Sequence, residues 1–129
     1  MALILNSDNE AIVKDNISNT DIKIFYRMPN TEERVNFRSK VGFNLEQINE
    51  RVDTAVEYGL KLITGFRKGD IKIADNIGKI KDISSNPKDP EYEPEWKKLL
   101  KEYRPDILEA LAYRIYFNPC DILTGQEKN

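Results

Sequence analysis

The sequence predicts a mainly α (α+β) fold, a four-helix, α-rich single domain with a small N-terminal antiparallel β element. Three observations carry that prediction. Apolar residues recur every three or four positions from Leu45 to Phe66. Pro94 and Pro105 each open a short segment with one apolar face. Ile22, Ile24, Tyr26 and Met28 alternate with Lys23, Phe25 and Arg27, the period-two pattern of a half-buried strand.

Residues 1–28 read as extended. Before the alternating run stand two shorter apolar runs, Leu3-Ile4-Leu5 and Ala11-Ile12-Val13, separated by the turn formers Asn6-Ser7-Asp8-Asn9. Together they predict a small antiparallel meander. Pro29 ends it, and Asn30-Thr31-Glu32-Glu33 has the spacing of a capping box, with Asn30 accepting from freed amides and Glu33 reaching back. A helix is therefore expected over 31–40, with Gly42 as its stop. A second cap at Asn44 starts the periodic segment, expected as a helix over 44–65 of about six turns. Gly59 lies on its apolar stripe, where a missing side chain lets a neighbouring helix approach closely; as a plain helix glycine it costs ~1 kcal/mol. Gly65 or Gly69 is expected to take the left-handed conformation at its end.

Residues 67–93 form an irregular insert. Asp70–Asp75 reads as a short strand that pairs with Lys79–Ile83, and Ser84–Glu93 as an acidic, exposed, mobile loop. Helices are expected over 94–103 and 105–117, because proline suits the first helical turn and disfavours helical geometry at the residue before it. Asn118-Pro119 stops the last helix, and 120–129 is a polar tail.

At 129 residues, a single core suffices and two ordinary domains do not fit. The chain contains no histidine and one cysteine, Cys120. Histidine-based triads, histidine-ligated zinc, imidazole pH switches and internal disulfides are thereby excluded. A reducing cytoplasm is the expected compartment. The N-terminal aliphatic run is too short for a secretory core, and no apolar stretch reaches membrane-spanning length. The balance of 20 basic and 22 acidic residues leaves a net charge of -2. That is no electrostatic footprint for nucleic acid, so another protein is the expected partner.

Carboxylates are the only plentiful acid–base groups, which makes a carboxylate-based hydrolase the enzymatic alternative. No pair is singled out: the acids sit in caps, on helix faces and in the 82–95 loop. Asp82, Asp89, Glu91 and Glu93 lack the spacing of a calcium loop. No Gly-Lys-Ser/Thr ending follows Gly65 and Gly69, so no phosphate cradle is expected. No catalytic residue, metal or cofactor is predicted. The aromatic cluster is more informative. Trp96, Tyr103, Tyr113, Tyr116 and Phe117 fall within one C-terminal stretch, more rings than one helical face easily hides. They are expected to form a partner-binding surface, with core packing as the competing explanation for Trp96.

Three stretches resemble the tail assembly chaperones of long-tailed bacteriophages. Ile22–Ser39 looks like their strand leading into a Thr/Glu-Glu-Arg helix start, here with Glu33 and Arg34. Leu62–Asp70 is similar to the apolar-Gly-aromatic turn that ends their long helix, here Gly65-Phe66, with Phe66 where many members carry Trp. Trp96–Ile115 resembles their paired C-terminal helices. The resemblance implies a non-enzymatic protein of the infected cytoplasm. It implies binding to the tape measure protein, recruitment of tail tube protein, and a capacity for self-association. A structural head–tail or tail-completion subunit of the particle is the alternative.

Overall fold

The computed structural model describes residues 2–41 and 48–123. Strands β1 (Asn9–Asp15) and β2 (Thr20–Tyr26) form an antiparallel hairpin. Helices α1 (Thr31–Val41) and α2 (Ile48–Leu62) follow, and β3 (Ile63–Phe66) returns to pair antiparallel with β2. A second sheet consists of β4 (Lys72–Ala74) and β5 (Ile80–Asp82), and α3 (Trp96–Tyr103) and α4 (Pro105–Phe117) close the fold. Four helices and five strands in two sheets make the described residues α+β. The expectation of a mainly α, four-helix domain with a minor β element is corrected by β3 and by the second sheet.

The alternation read in the sequence sets the faces of the first sheet. Ile22 and Ile24 are buried toward the helices, and Lys23 points to the other side. The strand stops at Tyr26, short of Met28. No strand includes Leu3-Ile4-Leu5, whose side chains are exposed. At the helix that follows, the capping box is present: Glu33 N–H donates to Asn30 Oδ1 at 2.8 Å, and Asn30 N–H donates to Glu33 Oε1 at 3.1 Å.

Helix α2 ends at Leu62, three residues before its expected end; the expected stop at Gly42 and cap at Asn44 lie outside the described residues. Ile63 and Phe66 fit a helical stripe, but Ile63-Thr64 is β-branched and β2 offers unpaired backbone groups. Pairing with β2 prevails over helical continuation. Gly65 therefore lies in a strand, and Gly69 takes the left-handed conformation with φ +92°. Gly59 does what the stripe suggested: a Cβ there would lie 2.1 Å from the Leu108 carbonyl oxygen, so the glycine sets the approach of α4 to α2.

Residues 84–93 also depart from expectation. Ser84 is buried; its Oγ donates to Asp89 Oδ2 at 2.6 Å and accepts from Asn86 N–H at 3.0 Å. Its backbone exchanges bonds with Glu91 and Glu93. The segment folds around one serine hydroxyl, because Ser, Asn and Asp side chains satisfy nearby backbone groups at short range. Among the described residues, no helix is long and apolar enough to cross a membrane.

Candidate functional site

Helix α3 carries Trp96, Leu99, Leu100 and Tyr103 at helical spacing, which puts all four on one face. Across from it, Ile71 and Ile73 are partly buried against the core. Between them runs an apolar groove of about 440 Å³, with Phe66, Ile83, Trp96 and Leu100 buried beneath it. Trp96 is 7% exposed and meets Phe66 edge to face, ring centroids 5.7 Å apart. Tyr103 is 68% exposed at the rim.

Local chemistry holds both walls. The turn of the β4–β5 hairpin is built on Asp75, whose Oδ1 accepts from Ile77 N–H at 3.0 Å and Lys79 N–H at 2.9 Å, while Gly78 supplies φ +81°. Behind the groove, Phe66 N–H donates to Ser85 Oγ at 3.0 Å; a Cβ at Gly65 would sit 2.9 Å from that oxygen. Lys97 Nζ donates to the Leu60 carbonyl at 3.2 Å, fastening α3 to α2, and burial lowers its pKa. Arg104, at the corner of α3 and α4, makes paired hydrogen bonds to Asp15 and to Asp106. It holds the Asp15 carboxyl well below the usual carboxylate range, with help from Ser18.

The rim charges are paired: Lys72 with Asp82 at 3.0 Å and Arg104 with its two aspartates. The groove thus presents apolar carbon and an aromatic edge rather than a net field, which suits the apolar stripe of a partner helix.

The five aromatic residues predicted as a partner surface do not share one. Trp96 and Tyr103 line the groove together with Phe66. Tyr116 is fully buried, stacked on Phe37 at 4.2 Å and edge-on to Tyr58 at 5.7 Å. That placement corrects its assignment as a contact residue. Tyr113, half-buried, and Phe117, 44% exposed, stack at 6.0 Å on a separate part of α4. Glu33 binds Arg27 through both carboxylate oxygens at 2.8 Å, and Arg34 N–H donates to the carbonyl of Asn30, just before α1; neither lines the groove. The isoleucine wall at 71 and 73 was not singled out from the sequence, although the Ile-Lys-Ile alternation places both side chains on one face.

Among the other acidic positions, Asp82 and Glu91 pair with Lys72 and Lys68, and Asp89 accepts from Ser84. Each of these three carboxylates has a structural partner. Comparison with protein-family models, with curated proteins and with solved structures finds no match to this chain.

Proposed function

We propose that this protein is a non-enzymatic tail assembly chaperone of a phage or prophage. In this reading it works in the host cytoplasm, binds the tape measure protein through the groove between β4 and α3, and aids tail tube assembly. The observation that carries the reading is the groove itself: an apolar trough with an exposed tyrosine at its lip and a tryptophan in its floor. A tape measure protein is a long helical chain, and a trough of this kind accepts the apolar stripe of such a helix.

The test is co-expression with tape measure fragments. The wild-type chain should raise their soluble yield and co-purify with them, and Tyr103→Asp should abolish both effects without changing its own thermal melt. Wild-type-like rescue by Tyr103→Asp would overturn the assignment of the groove. Recovery of the protein from purified particles by mass spectrometry would favour a structural subunit instead.

A further inference from the structure

The three-stranded sheet has one covered edge and one open edge. At β3, Phe66 N–H is taken by Ser85. Strand β1, at the other end of the order β1-β2-β3, has no strand on its outer side among the described residues. Its polarity can be read from β2. Lys23 accepts from Arg67 N–H at 2.9 Å and donates its own N–H to Asp70 at 2.8 Å, so both its backbone groups face away from β1. The partner of Lys23 across the hairpin is Ile12. In an antiparallel pair, opposed residues turn their backbone groups toward each other or both away. Ile12 therefore directs its N–H and C=O to the open edge, and by alternation so do Glu10 and Lys14.

The side chains of Glu10, Ile12 and Lys14 are exposed on the solvent face, Ile12 at 56%. Ala11 and Val13 lie on the face toward α4, beside a second groove of about 810 Å³ lined by Leu3–Leu5, Ala110 and Arg114. This edge is complementary to itself. Laid antiparallel on a second copy with Ile12 opposite Ile12, it sets Glu10 against Lys14 twice. Centring the pair on Glu10 or Lys14 instead opposes like charges, and centring on Ala11 or Val13 sets Ile12 against a charge. Only one register matches charge with charge and apolar with apolar.

We propose that β1 is a homodimerisation edge, joining two copies antiparallel about Ile12 into one continuous sheet. The outward N–H and C=O groups of Glu10, Ile12 and Lys14 bond to the second copy, whose Ala11 and Val13 come to lie over the groove beside α4. The proposal is independent of the groove at α3.

Sedimentation velocity of the full chain, over a concentration series reaching ~0.2 mM, tests it. The wild type should show a concentration-dependent dimer. Glu10→Lys and Lys14→Glu should each raise the dimer Kd roughly tenfold by opposing like charges. An equimolar mixture of the two variants should restore the dimer, because opposite charges then meet at the edge. Ile12→Pro should abolish it with circular dichroism unchanged, since the N–H removed makes no bond within the chain. A wild type that stays monomeric throughout would overturn the proposal and leave the edge to a strand from another protein. A dimer unmoved by the charge reversals, or a mixture that fails to associate, would place the interface elsewhere and overturn it equally.

Discussion

Glu33 accepts three hydrogen bonds, two from the Arg27 guanidinium and one from Asn30 N–H, and its pKa falls to about 2 chiefly through Arg27. A carboxyl depressed in the folded state stabilises the fold above its unfolded pKa and loses that contribution as pH falls through the folded one. The Glu33 contribution is thus complete above the ordinary 4.5 and drains away toward pH 2. Thermal melts across that range should fall less steeply for Glu33→Gln than for wild type; parallel curves would contradict the assignment. Removing the other half of the box, Asn30→Ala, should cost ~1 kcal/mol in a denaturant titration. Tyr116 tests burial at the same scale. Its hydroxyl has no hydrogen-bond partner among the described residues, and burial pushes its pKa up to about 12. Tyr116→Phe should leave stability unchanged or raise it by up to ~1 kcal/mol, because it removes an unpaired polar group. Tyr116→Ala should cost about 3–5 kcal/mol; a smaller loss would mean the ring is not core.

At the scale of elements, the pairing of α2 with α4 depends on Gly59. Adding a methyl there gains ~1 kcal/mol of helix propensity but drives a Cβ into the Leu108 backbone. Backbone cannot swing aside as a side chain can, so Gly59→Ala should be destabilising by ~2 kcal/mol net; a neutral result would show that the helices separate freely. This close approach was legible in the sequence because a glycine interrupted an otherwise apolar stripe. The capping box, the proline-opened α4 and the β4–β5 pairing were legible because each is set within a few neighbouring residues. The end of α2 was not. Ile63, Gly65 and Phe66 suit helix end or strand alike, and the choice is made by β2, about forty residues away in sequence. Ser84–Glu93 reads as a generic polar loop until Ser84 is seen closing it from inside.

Over the whole molecule, the groove brings together pieces that lie far apart in the chain: Phe66 from β3, Ile71 and Ile73 from the insert, and Trp96 and Tyr103 from α3. The abundance of C-terminal rings was visible in the sequence. Their division among groove, core and a separate patch was not, since it depends on how α4 turns against α1 and α2. Stability and binding should accordingly separate by residue. Trp96→Ala, which empties a buried site, should cost about 3–5 kcal/mol, whereas Tyr103→Asp should leave the melt where it is. The single tryptophan of the chain lies in the groove floor, so its fluorescence reports on that place alone. The most direct measurement is a titration of the full chain with amphipathic helical peptides from a tape measure protein, followed by Trp96 emission. The account requires a saturable shift that Tyr103→Asp removes. Saturable binding with Trp96 emission unchanged, or a shift that survives Tyr103→Asp, would contradict it.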